Sequence, residues 1–458
     1  MCGIAIYQNK NKHKLDSIKH RGIQYTEIKW LDWHYGHHRL PIQTLEDDNW
    51  TQPIMLEEEE FFLFNGEIFN YDKEKYENDV AYLKDFFTGR DEGNEDYFIN
   101  EMNKWDGFWS IVLVSKDPRI GTLAFTDPLG KKQLYYNINT HEISSEVKQL
   151  TNTNEIDELF VSSVNKWGYN TDDRTIYKDV KRIMPNQIYQ FFPHIDHPVI
   201  AFRDYFDWEK NVPTDKTIYE LLDESVQNRL ISKKYKVSAL FSGGLDSTII
   251  LYFLRKHGVD VDVYSIDNAE DGEYIRMMED YWDLDLKFLD IDANNISLED
   301  RMKIYDINDS MIDLGSVIPQ YYLFKDIKNK IVLTGDGADE LFSGYRRAQI
   351  FDSQKSDIFE ELPFYHLIRI DRMSMHFTIE CRNPFLSHDL IRKSLSIPWK
   401  ERVGKEILKK EFRGKIPDFI IDRKKNPLKI KSIREDEMKY RTSIIKNYID
   451  YLKNDKKI

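Results

Sequence analysis

Along the first 200 positions, apolar and aromatic residues come in short runs rather than in helical stripes. Ile4-Ala5-Ile6, Phe61-Phe62-Leu63-Phe64, Trp109 to Val114, Thr122 to Phe125, Leu134-Tyr135-Tyr136 and Ile188 to Phe192 are brief and rich in β-branched or aromatic residues, as strands are. Turn-forming sequences separate them, among them Asn65-Gly66 and Asp127-Pro128-Leu129-Gly130. Helical spacing intervenes at Asp72 to Phe87 and Glu95 to Asn103. Strands with intervening helices and no regular βαβ alternation predict a layered α+β domain over residues 1–200.

From His194 to Thr214 the chain is rich in His, Pro, Asp and aromatic residues and has no periodicity, which predicts a linker. Beyond it the rhythm changes. Helical pattern at Thr217 to Ile231 precedes strand Val237 to Phe241; helix Thr248 to His257, strand Val261 to Ile266, helix Gly272 to Trp282 and strand Lys287 to Asp290 follow. After a further helical stretch comes strand Lys330 to Thr334. Such alternation predicts a doubly wound parallel α/β sheet in a second domain, residues 215–458. Everything from Leu341 onward reads as added helices.

Composition narrows the class. A chain of 458 residues exceeds one ordinary core. A hydrophobic content of 41% with 31% charged residues describes a soluble globular protein, and the presence of only two cysteines makes a reducing cytoplasm the expected place. The formal net charge of −14 argues against a nucleic-acid partner, which would need a basic face. No apolar run is long enough to span a bilayer, so no membrane partner is expected. Two cysteines, Cys2 and Cys381, do not suggest a disulfide framework.

Cys2 stands one residue behind the initiator. If Met1 is removed, the new amine lies on the same residue as the thiol and can act as its local base. That terminal sulfur is expected to be exposed. Taken alone, Cys2 reads as a small hydrophobe at the start of a strand. Its companions change that reading. Asn65-Gly66 after the strand Phe61 to Phe64 offers an amide and a glycine N–H to a tetrahedral oxyanion. Arg39 could clamp a carboxylate bidentately, and Asp91 could pair with an ammonium.

Phe241-Ser242-Gly243-Gly244-Leu245-Asp246-Ser247 follows an apolar strand and precedes a helix, an arrangement that points backbone N–H groups at an anion. It lacks the Gly-Lys-Ser/Thr ending of a Walker loop. Asp246 would repel phosphate unless Mg²⁺ bridges the two. Gly335-Asp336-Gly337-Ala338-Asp339-Glu340 ends a second strand at the same sheet edge, where open parallel sheets bind ligands, so Asp246 and Asp339 could share a metal.

Over nearly its full length the chain resembles the glutamine-hydrolysing asparagine synthetases. Met1-Cys2-Gly3-Ile4 is similar to the family's N-terminal nucleophile (Ntn) glutaminase start, and His38-Arg39-Leu40 to the segment whose arginine binds the glutamine carboxylate. Asn65-Gly66-Glu67-Ile68-Phe69-Asn70 resembles its Asn-Gly-Glu-Ile-Tyr-Asn segment, and Thr88-Gly89-Arg90-Asp91 its amine-binding segment. Asp371 to Met375 and Glu380 to Leu386 resemble a helical signature beneath the synthetase site.

The resemblance implies an αββα Ntn-hydrolase-like domain followed by a pyrophosphate-loop (PP-loop) synthetase domain. It implies Cys2 as nucleophile, Asn65 and Gly66 as oxyanion hole, and Arg39, Glu67 and Asp91 as glutamine contacts. Ser242, Gly243, Gly244, Leu245, Asp246, Ser247, Ile266 and Gly335 would bind ATP and pyrophosphate, with Asp246 and Asp339 holding Mg²⁺. Asp336 would belong to acceptor chemistry, and Lys425 would stabilise departing pyrophosphate. Cys381 is expected to serve packing. Glutamine, ATP and aspartate are the implied substrates, and a homodimer is compatible with the family.

Some segments depart from the family pattern. Arg21-Gly22-Ile23-Gln24 stands for Arg-Gly-Pro-Asp, Asp336 for the usual Glu, Ser387 for the Asp of Pro-Phe-Leu-Asp, and Asn426-Pro427-Leu428 for a Gly-Phe-Pro type of segment. Two alternatives to asparagine synthesis therefore stay open: the same chemistry on another carboxylate, such as a sugar acid or peptide, and a non-catalytic regulatory relative.

Overall fold

The computed structural model describes residues 2–43, 48–56, 60–89, 95–115, 121–192, 200–231, 235–266, 272–289, 291, 295–309, 314–423 and 431–455. The chain divides into two units, Met1–Lys210 and Asn211–Ile458.

In the first unit the described strands are β1 (Cys2–Gln8), β2 (Gln24–Trp30), β3 (Trp33–Arg39), β4 (Ile54–Met55), β5 (Phe61–Ile68), β6 (Gly107–Val114), β7 (Thr122–Thr126), β8 (Tyr135–Asn137), β9 (Ile143–Ser144), β10 (Val180–Arg182), β11 (Gln187–Phe191) and β12 (Ile200–Asp204). They form two sheets, ordered β10-β8-β9-β1-β3-β2 and β12-β11-β7-β6-β5-β4. Every pairing recorded within them is antiparallel.

Period-two alternation explains the layers. Phe62 and Phe64 of β5 and Trp109 and Ile111 of β6 pack with Leu83, Phe87 and Met102 from helices Asp79–Thr88 and Glu95–Met102. Phe61 and Leu63, with Val112 and Val114, instead meet Ile4, Ile6 and Tyr35 of the other sheet. The far side of that sheet is covered by the helical segment Asn9–Arg21. A Cβ on Gly3 would lie 2.8 Å from Ile18 Cδ1, and one on Gly36 would lie 2.9 Å from Leu15 Cδ2.

Several expectations need correction. Asn65-Gly66 is not a turn; both lie inside β5. Gly66 has φ of 157°, and a Cβ there would stand 2.0 Å from the Phe108 carbonyl oxygen, so glycine serves close strand pairing instead. The helix expected from Asp72 begins at Asp79, because Asp72 Oδ1 accepts from the Glu74 and Lys75 N–H groups (2.9 and 3.2 Å) and holds a turn. Asn78 then caps the helix by accepting from Ala81 N–H at 2.8 Å. The expected linker contains β12, followed by buried Tyr205 and Phe206.

In the second unit β13 (Val237–Leu240), β14 (Val261–Ile266), β15 (Leu286–Leu289), β16 (Ile331–Leu333) and β17 (Glu380–Arg382) make one parallel sheet, ordered β15-β14-β13-β16-β17. Helices Leu245–Lys256 and Gly272–Trp282 connect the first three strands. The entry helix Ile218–Asn228 carries a capping box between Thr217 and Glu220. Strand β17 was not expected: Glu380-Cys381-Arg382 lies in a segment read as helical, and Pro384–Leu386 beyond it forms only a short turn. Cys381 is a buried thiol in that strand, its sulfur 4.0 Å from the Thr334 hydroxyl. Strand order reverses between β13 and β16, the place where the crevice of a doubly wound sheet opens. Among the described residues, no helix is long and apolar enough to cross a membrane.

Candidate active sites

The two sheets of the first unit bring the N-terminal candidates together by register. Cys2 lies opposite Arg39 in the β1–β3 pairing. Cys2 shares a face with Ile4 and Ile6, as Arg39 and His37 share one with Tyr35, so all three point between the sheets. From the other sheet Asn65 and Glu67 alternate in step with Phe61 and Leu63. The inter-sheet space is therefore apolar at one end and polar at the other.

The Cys2 backbone nitrogen donates to Asn65 Oδ1 at 2.9 Å. Asn65 is fully buried, and its Nδ2 has no partner among the described residues. The sulfur is not exposed as expected: Cys2 is buried, only 7% accessible, in a strand paired with β3 and facing the other sheet through its bond to Asn65. Arg21 Nε donates to the Cys2 carbonyl at 3.2 Å and its Nη1 to Glu146 at 3.1 Å, a buried ion pair that fixes the strand's first residue. Glu67 accepts from Gln43, which in turn accepts from the Tyr71 hydroxyl at 2.8 Å. His37 donates from Nε2 to the Phe64 carbonyl at 3.1 Å, and burial pushes its pKa down to about 3, so the ring is neutral. Asp91 lies outside the described residues.

At the reversal point of the second unit, Ser242 to Ser247 form a tight loop. Ser247 Oγ accepts from Ser242 N–H at 3.2 Å, and Ser242 Oγ accepts from Gly244 N–H at 3.3 Å. Gly243 adopts φ of 67° and Gly244 caps helix Leu245–Lys256 with no side chain of its own. That helix start leaves N–H groups facing the crevice. The acidic loop abuts it: a Cβ on Gly335 would stand 2.9 Å from Asp246 Cβ. Ile266 ends β14 and is buried. Asp336 accepts from the Thr334 hydroxyl at 2.5 Å, with Arg369 Nη2 3.8 Å from its other oxygen.

Asp246 and Asp339 do converge, but on a lysine. Lys405 Nζ stands 2.7 and 2.6 Å from the two Asp246 oxygens and 2.6 Å from Asp339 Oδ1. Burial alone would lower the Lys405 pKa; the two carboxylates outweigh it and hold the ammonium charged. Three carboxylate oxygens around one point form a donor set that suits a hard cation such as Mg²⁺. Among the described residues, no three His, Cys, Asp or Glu groups form a fuller cage.

The sequence profile of the family described as Asparagine synthase matches residues 217–363 and 352–448, and that of the Glutamine amidotransferase domain matches 1–197. The chain belongs to the asparagine synthase family. It is similar to the glutamine-hydrolysing asparagine synthetase 1 of Bacillus subtilis, at 26% identity over 75% of this chain and 59% of the relative. A Methanocaldococcus jannaschii relative is 27% identical over 76% of this chain and 66% of its own length. The glutamine-hydrolysing asparagine synthetase of Gallus gallus is 23% identical over 91% of this chain and 80% of the relative. The chain thus spans less than two thirds of the first two relatives.

Within this asparagine synthase fold, sequence reasoning missed the Arg21–Glu146 pair, Gln43 and Lys405. Arg21 falls in the Arg21-Gly22-Ile23-Gln24 segment, but nothing in that segment indicates that it meets Glu146, 125 positions away. Lys405 follows Gly404 just before a helix, which signals a turn and no more. Lys425 lies outside the described residues; its neighbour Arg423 donates from Nη1 to the Gly243 carbonyl and lies over Tyr274 at 4.4 Å.

Proposed function

We propose that the chain makes asparagine from aspartate, with glutamine as nitrogen donor and ATP as activating agent, in an Ntn-type glutaminase unit and a PP-loop synthetase unit. The observation that carries the reading is the register that sets Cys2, Arg39, Asn65 and Glu67 on facing strands of one inter-sheet space. A nucleophile, a carboxylate clamp and an amide donor are what glutamine hydrolysis requires.

In this reading Met1 removal bares the buried sulfur, and the Cys2 thiolate then attacks the glutamine amide carbon with its own amine taking the thiol proton. The C–N bond breaks, ammonia leaves with that proton, and water cleaves the thioester to glutamate. Asn65 Nδ2 and the Gly66 N–H stabilise the oxyanion, while Arg39, Glu67 and Asp91 hold the amino acid. In the second unit an aspartate side-chain oxygen attacks the α-phosphorus of ATP and pyrophosphate departs. Ser242 to Ser247, Ile266 and Gly335 seat the nucleotide, and Lys425 neutralises the leaving group. Mg²⁺ held by Asp246 and Asp339 would supply charge neutralisation on the phosphates. Ammonia then attacks the acyl carbon, AMP leaves, and one proton is released.

Asp336 favours one variation. Its carboxylate is shorter than glutamate's and is held by the Thr334 hydroxyl at its own strand end, an arrangement that suits the same chemistry on a carboxylate other than aspartate. Aspartate-dependent exchange of labelled pyrophosphate into ATP is the test. Exchange supports asparagine synthesis; silence with aspartate but exchange with another carboxylate reassigns the acceptor. Silence with every acid, alongside glutaminase activity, points to a regulatory relative. The intact mass of the purified chain reports whether Met1 is removed.

A further inference from the structure

We propose that Lys405 is a built-in counter-ion: its ammonium occupies the divalent-cation position between Asp246 and Asp339 and makes capture of that cation depend on the nucleotide. The proposal rests on reading this crevice as a nucleotide site. Three contacts of 2.6–2.7 Å put the nitrogen at the focus of both carboxylates, where a bound cation would also have to sit.

This placement is imposed by the backbone around it rather than by a free side chain finding a partner. Gly404 and Lys405 both adopt positive φ, 66° and 63°. A lysine rarely takes that conformation unless its surroundings enforce it. Here the Gly404 N–H donates to the Ser343 carbonyl at 3.0 Å and the Lys405 N–H to the Phe342 carbonyl at 3.1 Å. Arg402, paired with Asp352 and bonded to the Ser343 hydroxyl, anchors the same turn. The lysine stem then passes over Gly344, where a Cβ would stand 2.3 Å from Lys405 Cε and 2.0 Å from Asp339 Oδ1. Segment 342–344 thus holds the turn and lies against the stem of the side chain, whose ammonium ends at the carboxylates.

Charge decides the consequence. Two carboxylates and one ammonium leave a single net negative charge, in a place where Lys405 is only 6% exposed. A divalent cation arriving alone must evict the ammonium or lie against a like charge, and both outcomes weaken binding in a poorly hydrated site. A polyanionic phosphate chain supplies new partners to both cations at once. The ammonium then trades carboxylate oxygens for phosphate oxygens beside the Ser242 to Ser247 loop, and the metal takes the carboxylates. Metal entry therefore follows or accompanies the nucleotide.

Mn²⁺ binding to the full chain, read by electron paramagnetic resonance, tests this without turnover. The wild type should bind no Mn²⁺ at this site alone and should bind one in the presence of α,β-methylene-ATP. Lys405→Met should bind Mn²⁺ without nucleotide about tenfold or more tightly than wild type, and Lys405→Met with Asp246→Asn should lose that site. Lys405→Arg, which keeps the charge, should remain unable to bind Mn²⁺ alone. Equal wild-type binding of Mn²⁺ with and without the analogue overturns the proposal and needs no variant to be stable. No gain in a cooperatively folded Lys405→Met overturns it as well. Failure of pyrophosphate exchange with every acid would count against the proposed reaction and leave the Mn²⁺ result to decide the role of Lys405.

Discussion

The bond from the Cys2 backbone nitrogen to Asn65 Oδ1, 2.9 Å long, joins a strand of one sheet to a strand of the other. It also fixes which end of the amide is left over. With Oδ1 engaged, Nδ2 is buried and has no partner among the described residues. An unmet buried donor costs about 1–3 kcal/mol, a cost that an oxyanion beside it would repay. Asn65→Ala should therefore lower kcat for glutamine hydrolysis about 10²- to 10³-fold with little change in KM. Asn65→Asp, which restores an acceptor but no donor, should be equally slow. Glutamate release measures both, and an active Asn65→Asp would remove Nδ2 from the mechanism.

Cys2→Ala should abolish glutamine use and leave synthesis from ammonium salts intact, because the second reaction needs only the other unit. Amide formed with each nitrogen source at saturating ATP gives the comparison. Loss of both activities would contradict two separable sites.

What could be read in the sequence divides along physical lines. Strands such as Phe61 to Phe64 and Trp109 to Val114 are buried on both faces, so their composition alone declares them. Strands β2 and β3 carry Gln, Lys and His and were invisible; β3 nevertheless positions His37 and Arg39. The glycine loop was legible because its order is itself the chemistry. Lys405 was not, because its role comes from a turn packed against Phe342 and Ser343, a relation that no local pattern encodes. The Arg21–Glu146 pair was hidden for the same reason.

Asp246→Asn should remove pyrophosphate exchange while glutamine hydrolysis stays measurable. The carboxylate faces Lys405 and the acidic loop, whereas every contact described around Cys2 belongs to the first unit. Exchange at the normal rate in this variant would show that Asp246 does not serve the nucleotide.

Gly344→Ala offers a steric counterpart. Its Cβ would fall 2.0 Å from Asp339 Oδ1 and 2.3 Å from Lys405 Cε, so the ion pair has to separate. Exchange should fall at least about tenfold, and the melting temperature should drop by several degrees, matching a loss of about 1–3 kcal/mol. Unchanged exchange would mean that the Lys405–Asp339 contact is dispensable for the reaction.

Buried His37 should leave a signature in the acid range. Its pKa is about 3 in the folded chain, where burial opposes protonation, against 6.5 for a free imidazole. Between those values the unfolded chain binds a proton that the folded chain does not. Stability from this group is thus full above pH 6.5 and declines as pH falls toward 3, at up to about 1.4 kcal/mol per pH unit. The ring cannot escape the cost by gaining an acceptor, since Nε2 already donates to the Phe64 carbonyl and Nδ1 has no partner among the described residues. His37→Gln keeps a donor of similar reach and cannot titrate. Its urea-unfolding free energy should lie below that of the wild type at pH 7, and the gap should close as pH drops to 4.5. Parallel curves for the two proteins across that range would mean that His37 takes up its proton in the folded state.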